Sequence, residues 1–367
     1  MLAFPEIPTS DPKLAAVIEK VSRAKRLSRE DGLALERSPD LHAVCALGDA
    51  VRARMHANRI GYVVNTHIDY TNVCVSRCRF CAFGRDLEDR DAYTLSPEEA
   101  CDRVPEGVDE IHVVGGVNPA LGLDYFIDLL RALGERAPGA MMKAFTAIEL
   151  HALATRESLE ISDMLRELKD AGLGMLPGGG AEIFDPGIRS RICPNKANAE
   201  EWLGVHRAAH EMGIPTNSTM LYGHVERDEH RVDHLLRLRE LQDETGGFVA
   251  HVPLPYLRGG NALAGVAPPP NGALDLRQIA LARLMLDNFA HIKAYWRALG
   301  TGTAQVALRA GADDLDGTVS REEVMHEAGS DAPRSLSSAR MEALISEAGL
   351  SPYRRDALHM PLKEVVR

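Results

Sequence analysis

Residues 72–83 read Asn72-Val-Cys-Val-Ser-Arg-Cys-Arg-Phe-Cys-Ala-Phe83, which spaces Cys74, Cys78 and Cys81 as C-x3-C-x2-C, with the aromatic Phe80 beside the third thiol. Three thiolates on one short loop can hold three irons of a cubane iron–sulfur cluster, a group that normally takes four cysteines. The remaining cysteines, Cys45, Cys101 and Cys193, stand singly, so one iron is left for a ligand that is not protein. Structural zinc is the usual rival, but it takes four ligands, with a pair such as C-x2-C matched by a second pair elsewhere. No second pair exists. A disulfide framework does not suit a long chain with few, clustered cysteines.

The loop follows the apolar run Gly61–Tyr70, the first of eight candidate strands. The others are Glu110–Gly115, Met141–Ile148, Gly174–Pro177, Pro215–Tyr222, Phe248–Pro253, His291–Trp296 and Asp314–Val319. Helical stretches lie between most of them, with readable ends. Ser96-Pro97-Glu98-Glu99 offers an N-cap, a first-turn proline and a capping-box glutamate. Asn198 with Glu201 repeats the pattern, and Gly213 follows as a helix-ending glycine. Leu165, Leu168 and Ala171 mark one buried helix face that Gly172 stops. Ser320 with Glu323 opens a further helix ending at Gly329. Ahead of the strands, residues 12–58 are helical in character, with Ser28 and Asp31 as a cap.

Strands alternating with helices in this number predict an α/β fold, a closed (β/α)8 barrel over residues 60–335. An N-terminal helical extension covers 1–59 and a C-terminal helical tail 336–367. Barrel active sites are built from the loops after the strands, and the unusual sequence lies there. The cysteines follow strand one, Gly115-Gly116-Val-Asn118 strand two, Gly178-Gly-Gly180-Ala-Glu182 strand four, and Gly223-His224-Val-Glu226 strand five. The Gly-, Pro- and Asn-rich segment Gly259–Gly272 follows strand six and reads as a loop over the barrel mouth.

The 367 residues carry 42 Lys and Arg against 53 Asp and Glu, a net charge of −11. A basic nucleic-acid face is therefore not expected. No run of 18 apolar residues and no secretory leader is read in the sequence, so a membrane span is not expected and a cytoplasmic protein is. Gly178–Gly180 lacks the G-x-G-x-x-G spacing of a dinucleotide site, and no phosphate loop of the G-x-x-x-x-G-K-[ST] form occurs. Asp313-Asp-Leu-Asp-Gly317 does not make a calcium loop, because Ala312 falls where the first ligand should be.

Around the cysteine loop, Gly115 and Gly116 let backbone approach a ligand closely, since glycine has no Cβ. Their bland reading is a tight turn. Glu182 is placed to accept from sugar hydroxyls, and Arg189 to pair bidentately with a carboxylate; a surface ion pair is the alternative for both. Among the histidines, His67 and His224 are the candidates for catalytic work, although a lone histidine is more often a hydrogen-bonded scaffold residue. Lys143 and Arg258 are further options for anionic groups.

The cysteine motif resembles that of the radical S-adenosylmethionine superfamily, and the likeness spans nearly all of residues 60–355. Narrower phrases are His67-Ile-Asp-Tyr-Thr-Asn-Val-Cys74, Lys143-Ala-Phe-Thr-Ala-Ile-Glu149, Pro177-Gly-Gly-Gly-Ala-Glu182, Thr219-Met-Leu-Tyr-Gly-His-Val-Glu226, Leu241-Gln-Asp-Glu-Thr-Gly-Gly-Phe248 and Gly311-Ala-Asp-Asp-Leu-Asp-Gly-Thr318. Together they resemble the futalosine-pathway group of menaquinone biosynthesis, and most closely its aminofutalosine synthases. Tyr70, where a proline is common among the synthases, is a departure that favours the related dehypoxanthine futalosine cyclases.

The resemblance implies a 4Fe-4S cluster on Cys74, Cys78 and Cys81, with S-adenosylmethionine on the open iron, consumed as a co-substrate. It implies Gly115, Gly116, Glu182 and Arg189 around that cofactor. It further implies an aromatic enol-ether dicarboxylate substrate and an external electron donor such as flavodoxin or ferredoxin. A non-enzymatic iron–sulfur protein is the reading from another class; a closed carrier cluster would want a fourth cysteine.

Overall fold

The computed structural model describes residues 4–268 and 271–362. Pro269 and Pro270, in the predicted strand-six loop, and residues 363–367 of the predicted tail lie outside the described residues.

Three helices lead the chain: α1 (Pro12–Ser22), α2 (Arg29–Arg37) and α3 (Leu41–His56). The Ser28–Asp31 capping box that starts α2 is present as the sequence predicts. These helices lie against the flank of the barrel, where Gly48 of α3 leaves no room for a Cβ beside the Ala310 carbonyl. The buried pair Glu36–Arg231, at 2.7 Å, joins α2 to the barrel's outer ring.

The first strand is divided into β1 (Arg59–Val63) and β2 (Asn65–Asp69). Then follow α4 (Pro97–Cys101), β3 (Glu110–Val114), α5 (Leu123–Arg136), β4 (Met141–Ala144), α6 (Ala147–Glu157), α7 (Ile161–Asp170), α8 (Pro186–Ile192) and α9 (Ala199–Glu211). The second half holds β5 (Thr216–Tyr222), α10 (Asp228–Thr245), β6 (Phe248–Pro255), α11 (Gly272–Met285), β7 (His291–Ile292), α12 (Trp296–Leu299), α13 (Thr301–Ala307) and β8 (Asp314–Gly317). The chain ends in α14 (Val324–Glu327), α15 (Ser338–Glu347) and β9 (Ser351–Arg354).

All strand pairs are parallel. The runs β2-β3-β4 and β5-β6-β7 are joined by single bridges, Lys143 to Met175 and Leu176 to Thr216. Lys293 bridges to Asp314 of β8, which pairs with β1, and Thr66 bridges to Ser320, so the ring closes. The result is a (β/α)8 barrel in which the fourth position, predicted as Gly174–Pro177, contributes bridges rather than a full strand. Buried apolar side chains fill the space between strands and helices; Leu129, Leu153 and Leu238 are examples. Each such leucine contributes roughly 1.5–3 kcal/mol relative to exposure.

Several predicted boundaries shift for local reasons. Strand three stops at Ala144 because Thr146 caps α6, its side chain and that of Glu149 forming a reciprocal capping box. Strand seven stops at Ile292, and Trp296 starts a helix instead. Ser320 does not open a helix: its hydroxyl meets Thr66 Oγ1 at 2.8 Å in the barrel seam, and the helix there is the short α14.

The strand β9 was not expected. It pairs with β1 from Arg59 to Tyr62, on the side where β3 flanks β2. Beyond it Arg355 enters the barrel base and forms a fully buried ion pair with Asp314, the first residue of β8. His359 stacks on His291 with ring centroids 3.8 Å apart. The C-terminal segment thus covers the end of the barrel opposite the cysteine loop.

Candidate active site

Along β2 the alternation of a strand turns Asn65, His67 and Asp69 to one face, and on β3 it turns Glu110 and His112 the same way. Barrel interiors are usually filled by branched apolar residues. Here the inward positions are polar, and the mouth opens into a cavity of about 320 Å³. Cys74, Cys78 and Cys81 line it together with His67, Gly115, Gly116 and Glu182. With Lys143, the structure therefore brings together eight of the eleven residues singled out from the sequence.

The cysteine loop is held by backbone hydrogen bonds to several elements. The Cys74 amide donates to the Arg85 carbonyl at 2.9 Å, Val75 to Val117 at 3.0 Å and Arg79 to Ile192 at 2.7 Å. The Ala262 amide of the strand-six loop donates to the Arg79 carbonyl at 2.9 Å, joining two loops of the mouth. Gly116 sits under this loop: a Cβ there would lie 2.2 Å from the Val73 carbonyl oxygen. A Cβ on Gly115 would lie 2.8 Å from the Tyr70 ring. The close approach that both glycines permit is thus made first by the protein's own loop.

All six cysteines are free thiols. Burial pushes the Cys78 thiol up to about 12, against the opposing pull of the Lys196 ammonium. The donor set fits a cubane cluster: three soft sulfur ligands on one braced loop at the cavity wall, and no fourth cysteine among the residues lining the cavity. Cys193 is buried at the end of α8 and does not line it.

Glu182 has a positive φ of 47° and faces the cavity, where Lys196 Nζ meets its carboxylate at 2.5 Å. The same ammonium stands 5.2 Å from the centre of the Phe80 ring. Arg189 is elsewhere. Its buried guanidinium donates to the carbonyls of Ala181 at 2.6 Å and Ile183 at 3.4 Å, and also to that of Ala197, so it braces the Gly178–Glu182 turn from behind. His224 likewise does not reach the cavity. Its Nε2 contacts the Leu221 carbonyl at 3.0 Å and its Nδ1 accepts from the Val225 amide at 2.8 Å. Arg258 is bound to the Ala264 carbonyl, 3.0 Å from its Nε.

Of the floor, sequence reasoning singled out His67 and Lys143 and missed the rest. Lys143 pairs with Glu110, and Lys293 pairs with Asp316 at 2.7 Å. Asp69 is buried with one carboxylate oxygen unpartnered; burial and the neighbouring Glu322 raise it to about 8. Glu149 accepts from the Tyr70 hydroxyl at 2.7 Å and the Gly115 amide at 3.2 Å, and burial lifts it to about 7. The signal available was the i, i+2 recurrence of polar residues inside otherwise apolar strands.

The Radical SAM superfamily pattern matches residues 68–238, and that of the CofH/MqnC C-terminal region matches residues 245–365. An aminodeoxyfutalosine synthase of Thermus thermophilus is 44% identical over 360 residues, covering 96% of this chain and 97% of the relative. The chain belongs to the radical SAM superfamily. A 5-amino-6-(D-ribitylamino)uracil–L-tyrosine 4-hydroxyphenyl transferase of Methanopyrus kandleri is 38% identical over 363 residues, covering 96% and 98%. Among solved structures, methylornithine synthase matches with a TM-score of 0.74 at 18% identity, covering 92% of this chain and 97% of that one, a likeness of fold. As a radical SAM enzyme of the transferase type, the protein uses a 4Fe-4S cluster and S-adenosylmethionine. No described helix is long and apolar enough to cross a membrane.

Proposed function

We propose that the protein is an aminofutalosine synthase. It joins the 5′-deoxyadenosyl group of S-adenosylmethionine to 3-[(1-carboxyvinyl)oxy]benzoate, giving 6-amino-6-deoxyfutalosine, methionine and bicarbonate in menaquinone biosynthesis. The observation that carries this reading is the 44% identity, over nearly the whole of both chains, to a protein named for that product. The cavity supports it, being polar at the floor and walled by the cysteine loop.

Cys74, Cys78 and Cys81 would hold the cluster, leaving one iron for the cofactor's amino-acid end. When bound, the pair supplies one-electron cleavage of a carbon–sulfur bond, chemistry that belongs to the cofactor while the protein aims it. Gly115 and Gly116 line the cavity and let the cysteine loop and Tyr70 pack directly on their backbone, which holds the three thiols in place. Glu182, fixed by Lys196, presents a carboxylate to hydroxyl groups of the adenosyl moiety. The strand-six loop, tied to the cysteine loop through Ala262 and Arg79, helps to exclude water from the reacting groups. Electrons come from an external donor of the flavodoxin or ferredoxin kind, and the setting is cytoplasmic.

Anaerobic reconstitution followed by mass analysis of the products tests the reading. An adenosyl adduct carrying the substrate's aromatic ring is expected. Release of free 5′-deoxyadenosine from S-adenosylmethionine, with dehypoxanthine futalosine as the hydrogen donor, would instead identify the cyclase, the reading that Tyr70 favours. Transfer from tyrosine to a ribitylaminouracil is the activity to exclude on account of the 38% relative.

A further inference from the structure

A dicarboxylate substrate must find partners in this cavity, yet its cations are already committed. Lys143 is paired with Glu110, and Lys196 with Glu182. Lys293 is paired with Asp316 at 2.7 Å and lies 3.9 Å from Asp314; Arg297, behind the wall, is paired with Glu322 at 2.8 Å. Among the described residues lining the cavity, no lysine is left free of a carboxylate. Removing a lysine from its buried partner to serve a ligand would leave that carboxylate uncompensated, at a cost of several kcal/mol.

Two imidazoles remain. His67 and His112 face each other across β2 and β3, ring centroids 4.4 Å apart, and both line the cavity. His67 is 5% exposed, and its Nε2 is buried without a hydrogen-bond partner. His112 is half-buried and forms no side-chain hydrogen bond among the described residues. A buried polar atom left unmatched is costly unless something in the working state meets it. We propose that the His67–His112 pair anchors a carboxylate of the substrate and takes up one proton as that anion binds. The inference rests on the proposed function only in taking the substrate to be an aromatic carboxylate.

The proton follows from the charge balance. In the free protein, burial holds His67 down at about 3 and His112 well below its ordinary value. The charged groups facing His67 are Asp316, Lys143, Glu110 and Arg297; those facing His112 are Lys143 and Lys293. The carboxylates near His67 are matched by these cations and do not charge the imidazole. A further carboxylate at hydrogen-bond distance does, because an opposite charge within about 4–6 Å favours the protonated ring. Two imidazolium rings this close would repel, so one proton is taken up and the second ring donates a neutral N–H.

Isophthalate, an unreactive aromatic dicarboxylate, is the probe, titrated anaerobically into the cluster-loaded enzyme. Calorimetry in two buffers of different ionisation enthalpy should show about one proton taken up per probe bound. Affinity should fall about tenfold per pH unit from about pH 6 to 7, since uptake persists below the ring's value in the complex. His67→Asn and His112→Asn should flatten that slope and weaken binding tenfold or more, with iron content unchanged. Binding without proton uptake in the wild-type enzyme overturns the inference, as does no binding, or a His67→Asn enzyme that keeps both affinity and slope. The two readings separate cleanly. An adenosyl adduct formed by an enzyme whose probe binding is pH-independent leaves the proposed function standing alone. Proton-linked probe binding with no adduct leaves this inference standing alone.

Discussion

A Cβ at Gly116 would press on the Val73 carbonyl at 2.2 Å and on Cys74 Cβ at 2.8 Å, neither of which is the free end of a flexible side chain. The first cysteine therefore stays in place only while residue 116 has no side chain. Gly116→Ala should cost about 1–3 kcal/mol, the usual range for overpacking, and should lower iron bound per chain after reconstitution. Gly134→Ala, where a Cβ on helix α5 meets nothing within 4 Å, should leave iron unchanged; equal loss in both variants would sink the argument. Cys81→Ala should abolish cluster assembly outright, read as loss of iron and sulfide. The thiols were legible in the sequence because their spacing is itself the chemistry. Arg189 and His224 were not, because a guanidinium that binds carbonyls and one that awaits a ligand have the same letter. Only the fold of residues 180–183 decides which it is.

Elements were legible where the signal is local. Capping boxes at Ser28, Ser96 and Asn198 are closed within four residues, and each forms as the sequence predicts. The strand β9 was illegible: Ser351–Arg354 has no alternation of its own and owes its conformation to an edge of β1 some 290 residues earlier. Its anchor is the Arg355–Asp314 pair, both side chains fully buried. Removing one member of such a pair leaves an uncompensated charge, which costs about 3–5 kcal/mol, whereas replacing both with apolar residues is often neutral. Arg355→Met should therefore lower the denaturant midpoint strongly. Asp314→Leu combined with Arg355→Met should recover most of the loss, provided that Lys293, 3.9 Å from Asp314, keeps Asp316 as its partner. If the double variant is as unstable as the sum of its parts, the segment is held by something other than this pair.

At the scale of the whole molecule, the polar barrel sets a pH dependence of stability. His67 and His251 are pushed by burial to about 3 and His210 to about 4, while His112, His206, His234 and His359 are driven well below the ordinary value. An unfolded histidine titrates near 6.5, so between about pH 4 and 6 the unfolded chain binds more protons than the folded one. Stability must then rise with pH through that window, by roughly 1.4 kcal/mol per pH unit for each proton of difference. Four carboxyls raised by burial act in the opposite sense, Asp275, at about 6, and Glu322 among them. Asp69, at about 8, and Glu149, at about 7, keep protons in the fold that the unfolded chain has released above about pH 4. The seven histidines outnumber them, so the net slope is positive and steep below about pH 6. From there to about pH 7.5 the histidine contribution fades as the unfolded rings lose their protons near 6.5, so the slope stays positive but flattens. Only above that do Asp69 and Glu149 turn it downward. Urea midpoints of the cluster-free protein at pH 5.0, 6.0 and 7.5 should therefore climb sharply over the first interval and more gently over the second. His251→Asn, which removes a ring bonded only to Ser218 at 2.9 Å, should make the first rise shallower by about one proton. A midpoint that does not move between pH 5.0 and 6.0 would mean that these rings are already charged in the fold, and with it the neutral His67–His112 pair would fall.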